Sequence, residues 1–108
     1  MLNVTAVVSK STNRQSLVQG HDYVVIGIDQ ECYRIIDESG EPALYPHVFF
    51  LDADITPPEH WVLRKYSDDE YTYDPPELSE QGFYEDYADG VELALTTFRE
   101  VQQRETRN

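Results

Sequence analysis

Carboxylates are the commonest reactive side chains in this chain, 21 of its 108 residues being Asp or Glu. Two groups are dense enough to suggest metal ligands: Asp52-Ala53-Asp54 with Glu59 and His60, and Asp68-Asp69-Glu70 with Asp74. Oxygen donors of this kind suit calcium. Neither group, however, is followed by the glycine that turns an EF-hand loop, so neither has that loop's ligand geometry. His21, His47 and His60 are widely spaced and form no HExxH or Cys/His grouping, which leaves zinc without a ligand set. The histidines read as ordinary surface or half-buried residues, and neither a metal nor a cofactor is expected.

Nucleophilic chemistry finds as little support. Cys32 sits in an apolar strand pattern with no second cysteine in the chain, the setting of a small buried hydrophobe. There is no GxSxG, phosphate-loop or dinucleotide fingerprint. Paired carboxylates for acid and base catalysis would arise by chance in any chain this acidic, so their closeness in sequence carries no weight. Trp61, behind Pro57-Pro58-Glu59-His60, is of the type that anchors a core or its rim. The expectation is a protein that binds without catalysing, with no catalytic residues.

What it binds is bounded by charge. Eight Lys and Arg leave a formal net charge of -13, which repels nucleic acid phosphates and anionic membranes. Direct contact with either is not expected; a basic protein is the expected partner. The charge is also localised. Residues 1–65 hold nine acids and five bases, and residues 99–108 hold two acids and three bases. Residues 66–98 hold ten acids and no Lys or Arg. Like charge concentrated in this way costs stability through self-repulsion and exceeds what solubility requires.

The same stretch carries Tyr66, Tyr71, Tyr73, Tyr84 and Tyr87, five of the eight tyrosines. Tyrosine brings a large rigid ring and a polar tip, and it is enriched at interface cores. Acid interleaved with Tyr is the composition of a surface that receives Lys and Arg. The candidate partner-binding residues are therefore Asp68, Asp69, Glu70, Tyr71, Tyr73, Asp74, Glu85, Asp86 and Asp89. Their carboxylates would steer the partner and make charge-assisted hydrogen bonds, while the rings would bury area. The competing reading is a solvated acidic cover whose tyrosines merely pin it to the fold.

The elements that would position these residues read as mainly β with a C-terminal helix, in a single domain over 1–108. The hydrophobic share of 40% suits a folded chain with one core. An apolar run at 4–8 suggests a first strand before a polar loop. Residues 23–28 and 32–36 are β-branched runs joined by Asp29-Gln30-Glu31, a hairpin signature. Further strand candidates are 43–45, 48–51 and 61–65, separated by turn residues and by the loop at 52–60. Recurrence about every ten residues predicts a small antiparallel barrel or meander, with its core over about 20–65.

From 66 to 90, Pro75-Pro76 and the acids break β periodicity and predict a packed irregular segment with a helical turn near 83–87. A helix over about 90–104 follows. Asp89 is placed as its N-cap with Glu92 in capping-box position, and Val91, Ala94, Leu95, Phe98 and Val101 lie on one face. Arg99, Arg104 and Arg107 fall towards its negative end. No apolar run reaches the roughly 18 to 20 residues of a membrane span. The first residues lack the basic start and apolar core of a signal peptide, and one cysteine cannot form an internal disulfide, so a cytoplasmic protein is expected.

Tyr23-Val24-Val25-Ile26-Gly27-Ile28, then Tyr33-Arg34-Ile35-Ile36-Asp37-Glu38-Ser39-Gly40-Glu41-Pro42 and Leu44-Tyr45-Pro46, with Trp61-Val62 after a proline loop, resemble small bacterial SH3-like barrel proteins. Gly82-Phe83-Tyr84-Glu85-Asp86-Tyr87, running into the helix, is similar to short immunity proteins encoded beside polymorphic toxins. The resemblance covers roughly residues 20–100 and is one of pattern. It implies an SH3-like fold and a protein that neutralises a cognate toxin domain by capping its active site or a neighbouring surface. Such proteins are often acidic where the toxin is a basic nuclease. An alternative of another class is a DNA mimic, of the anti-restriction or phage type, whose carboxylates imitate phosphates.

Overall fold

The computed structural model describes residues 2–11, 16–52 and 55–106. Of the residues singled out above, Ala53, Asp54 and Arg107 lie outside these. In chain order the strands are β1 (Asn3–Thr5), β2 (Lys10–Ser11), β3 (Ser16–Leu17), β4 (Asp22–Asp29), β5 (Cys32–Ile36), β6 (Pro42–Pro46), β7 (Val62–Lys65) and β8 (Tyr71–Asp74). The helices are α1 (Phe83–Ala88) and α2 (Glu92–Glu105), and 3-10 turns cover His47–Phe49 and Pro76–Leu78.

The β-branched run in β4 makes the longest strand, and the sheet assembles on it. The order is β6-β5-β4-β8-β7, antiparallel throughout, with β1 paired to the first half of β4. β6 and β7 remain as edges, so the expected mainly-β fold with a C-terminal helix takes the form of an open meander. β2 and β3 form a separate two-stranded ribbon.

A bulge in β4 sets which side chains face which way. Val25 pairs with Ile35 and Gly27 with Arg34, so Ile26 is an extra residue on the β4 side. Such an insertion kinks the strand and shifts its alternation by one. Tyr23, Val25 and Ile28 consequently share one face with Tyr33, Ile35, Tyr45, Phe50 and Trp61, the larger core. Ile26 points to the other face, where it meets Leu78, Phe83, Ala94, Phe98 and Val101 from the helical half of the chain. The sheet is thus buried on both faces over its middle.

Polar contacts fix the turns around these two cores. Asp37, buried at 5% exposure, accepts hydrogen bonds from the backbone of Ser16 (3.2 Å) and Ser39 (2.9 Å), from the Ser39 hydroxyl, and from Tyr45 Oη (3.0 Å). The end of α2 is tied down by Glu105, which accepts from Trp61 Nε1 at 2.7 Å, and by Arg104, which forks onto Glu77. Trp61 is buried in the larger core, the anchoring role that its sequence setting suggests.

Four details depart from the sequence expectation. Residues 48–51 are not a strand: His47–Phe49 form a 3-10 turn, and Phe50 makes only an isolated bridge to Ala6. The bridge and β1 together replace the strand expected at 4–8. Residues 71–74 are not irregular but form β8, which enters the sheet between β7 and β4. Asp89 does not cap α2: it closes α1, its N–H bonding to Glu85 O at 2.9 Å, and Gly90 then takes φ +74°. Only a residue free of the Cβ penalty adopts that left-handed turn readily. α2 starts after it with Val91 at the N-cap and no side-chain cap.

Candidate functional site

The nine candidate residues fall into three places. Asp68, Asp69 and Glu70 form the turn of the β7–β8 hairpin and are all exposed. The turn is closed by Tyr66 N–H and Ser67 N–H, which donate to Glu70 O at 2.9 and 3.3 Å. Backbone bonds thus hold it while the three carboxylates project. Among the described residues, none of the three forms an ion pair; the pairs present are His21–Glu38, His60–Glu105, Arg104–Glu77 and Arg104–Glu105.

Directly behind the turn, Tyr71 and Tyr73 occupy alternate positions of β8 and so share its face. Their rings meet edge to face, centroids 5.8 Å apart at 76°, the arrangement that aligns positive ring edge with negative ring face. Both are half-buried, and Tyr73 packs against the larger core. Tyr71 N–H donates to Gln30 Oε1 at 3.1 Å, joining the hairpin to the β4–β5 turn. Turn acids and paired rings therefore form one continuous part of the surface.

Asp74 belongs elsewhere. Strand alternation turns it, with Thr72, to the opposite face, the floor of a groove of about 410 Å³ between the sheet and residues 78–85. Glu85 lies on the same groove from α1. Asp86 and Asp89 are exposed on α1 and at its end, outside the groove lining. The structure thus unites Asp68, Asp69, Glu70, Tyr71 and Tyr73, and separately Asp74 and Glu85.

Sequence reasoning missed the groove's remaining polar residues. Gly27 pairs with Arg34, and Arg34 with Leu44, so Gly27, Arg34 and Leu44 form one row across β4, β5 and β6. Asp74 reaches into that row: a Cβ on Gly27 would lie 2.8 Å from Asp74 Oδ1. The Arg34 guanidinium lies 3.6 Å from the centroid of the Tyr84 ring, a cation–π contact. Arg64, Asp29 and Glu80 also line the groove. A signal was available in β5, where Arg34 alternates with the apolar Tyr33 and Ile35 and so must face away from their core.

Burial pushes the Asp74 carboxyl up to about 6, against the opposing pull of Arg34, Thr72 and Arg64. Burial likewise raises the Tyr84 hydroxyl, which is sealed from solvent with no hydrogen-bond partner among the described residues. Cys32 is only half-buried, and burial together with Asp29 and Glu31 raises its thiol pKa, which disfavours the nucleophilic thiolate. Among the described residues no three His, Cys, Asp or Glu side chains gather as metal ligands. Asp52 of the first sequence group instead accepts Thr5 N–H at 2.9 Å, and His60 pairs with Glu105. No described helix is long and apolar enough to cross a membrane. Comparison with known family models, curated proteins and solved structures finds no match to this chain.

Proposed function

We propose that this protein is a cytoplasmic immunity or inhibitor protein that neutralises a cognate bacterial toxin by binding it, without catalysing a reaction. The observation that carries the reading is the β7–β8 hairpin. Asp68, Asp69 and Glu70 are exposed there without an ion-pair partner among the described residues, and they lead into the Tyr71–Tyr73 pair. Unneutralised carboxylates at a fixed turn attract a basic surface from a distance, and the rings behind them supply area to exclude water once contact is made. The likeness of residues 82–87 to toxin immunity proteins supports a toxin as that basic partner. Glu85, Asp86 and Asp89 on α1 extend the same field.

The test is co-expression with a toxin domain encoded beside this gene, followed by affinity measurement with D68K/D69K/E70K. The wild type is expected to restore growth and to bind with strong salt dependence. The triple variant is expected to bind at least tenfold more weakly, a loss of about 1.4 kcal/mol or more. Undiminished affinity in the triple variant would remove the hairpin from the mechanism. Competition by duplex DNA for the same target would instead favour the DNA-mimic reading.

A further inference from the structure

The groove beside the hairpin has features that the hairpin reading does not use. Its floor is the row of Gly27, Arg34 and Leu44, with the Asp74 carboxylate lying over the notch that Gly27 leaves. Tyr66, exposed at 66%, and Tyr84 contribute aromatic rings to its lining. Four carboxylates line it, on Asp29, Asp74, Glu80 and Glu85, against two guanidinium groups, on Arg34 and Arg64. The field inside is therefore negative, as is the field of the whole chain.

The internal pairing is incomplete. Arg34 is the cation nearest in strand register to Asp74, yet its guanidinium lies on the Tyr84 ring, and no ion pair to Asp74 forms among the described residues. Among the described residues Asp74 is thus a largely desolvated carboxylate, hydrogen-bonded to Thr72 but without a cation in contact. The Tyr84 hydroxyl is buried with no hydrogen-bond partner among the described residues. Polar groups left in this state are costly, and the cost is relieved when a matching group enters.

The matching group is planar and cationic. A guanidinium carries five N–H donors, forks onto a carboxylate and stacks on aromatic faces; an ammonium is a compact, strongly hydrated charge that does neither as well. A groove of about 410 Å³ lies in the size range of sites that enclose small ligands.

We propose that this groove is a socket for a single arginine side chain of the protein's partner, held by the Asp74 carboxylate and stacked on the exposed Tyr66 ring, the Tyr84 ring being taken by Arg34. The socket rests on the reading that the partner is basic, and it names a contact separate from the hairpin turn.

The test needs no partner. Titration of the full chain with N-acetyl-arginine amide, followed by amide resonances, is expected to shift Gly27, Thr72, Asp74 and Gly82 saturably, with a dissociation constant roughly in the millimolar range. Asp74→Asn is expected to weaken the probe at least tenfold. Tyr66→Ala, at an exposed position that the fold does not depend on, is expected to weaken it severalfold and serves if Asp74→Asn does not fold. N-acetyl-lysine amide is expected to bind more weakly than the arginine probe. Non-saturating shifts, shifts confined to residues 67–70, equal affinity in both variants, or equal affinity for the lysine probe would each overturn the proposal. Because the probe is read on this chain alone, its failure leaves the hairpin's role to be decided by the triple variant with the toxin.

Discussion

Gly27 and Asp74 are fitted so closely that a single methyl group between them has no place: a Cβ on Gly27 would stand 2.8 Å from Asp74 Oδ1 and 3.2 Å from Arg34 Cβ. Gly27 does not have positive φ, so its requirement is one of space and not of backbone freedom. The bulge at Ile26 is what turns position 27 to the groove face, where an ordinary side chain would fill the notch beneath the carboxylate.

Gly27→Ala should therefore destabilise by about 1–3 kcal/mol through overpacking, partly offset by about 0.4–1 kcal/mol from the stiffer unfolded chain. In an Asp74→Ala background the same substitution should cost less, with a coupling of about 0.5 kcal/mol or more between the sites. Urea denaturation of the four proteins in this cycle measures it. Additive losses would mean that the two residues do not compete for space.

Asp74 should also give stability a specific pH dependence. Burial raises its carboxyl from 3.8 to about 6, while Arg34 on β5, Thr72 on β8 and Arg64 on β7 pull it down and Asp29 on β4 adds to the rise. Tyr84 and Glu85 line the same groove from α1. The folded state holds this proton more tightly than the unfolded chain does, so the contribution to stability falls as pH rises from 3.8 to about 6 and remains lower above. Asp74→Asn removes that penalty and should raise stability at pH 7 by about 1–3 kcal/mol. The gain over wild type should be small near pH 4 and full above pH 7; an equal gain at both would locate the effect elsewhere.

Elements with regular patterns were legible in the sequence. The β4–β5 hairpin follows from two β-branched runs around a polar turn, and α2 follows from its apolar positions at helical spacing, though shifted to Glu92–Glu105. β8 is hidden by Pro75-Pro76, whose break in β periodicity masks the strand that precedes them. Prolines end a strand without forbidding one before them, and Tyr71-Thr72-Tyr73 is an alternation of good β formers. Asp89 has the right chemistry for an N-cap, but the short α1 before it uses that residue in its own termination. The acidity of residues 68–70 is apparent from composition, but their place at a hairpin turn is not, since it depends on β8. The groove is not, because it depends on a bulge that turns Gly27 to the same face as Ile26 and on β8 entering beside β4.

Glu105 should hold α2 onto the larger core through the chain's one tryptophan. It accepts Trp61 Nε1–H at 2.7 Å and also meets Arg104 and His60. Burial works to raise its carboxyl, but those three hydrogen bonds outweigh it and hold the group below its usual range. Its contribution is present above the ordinary value of 4.5 and is lost as pH falls through the lower folded value. Glu105→Ala leaves the indole N–H unpaired and should cost about 1–3 kcal/mol, with a shift in Trp61 emission. Unchanged emission and stability would mean that the pair is not formed in solution.

Asp37 should be among the most sensitive polar positions. It satisfies two backbone N–H groups and two hydroxyls, and it stands where the 37–41 turn meets β3. Asp37→Ala strands all four donors and should cost about 2–4 kcal/mol, whereas Tyr45→Phe removes one donor and should cost about 1 kcal/mol. Denaturant midpoints that rank the two the other way would place the turn's stability in the Tyr45 ring packing instead.

The hairpin turn should show the opposite behaviour, and the contrast separates binding from folding. Asp68, Asp69 and Glu70 are exposed, the hydrogen bonds closing their turn are made by backbone groups and by Ser67 Oγ, and among the described residues none is ion-paired. Reversing them removes no described side-chain contact and lowers the like-charge repulsion of a chain at -13. D68K/D69K/E70K should therefore match the wild type in stability to within about 0.5 kcal/mol, or exceed it slightly at low salt. Thermal denaturation at two salt concentrations measures this. A marked loss of stability would show that the turn acids are structural, and weakened partner binding by that variant would then say nothing about the surface.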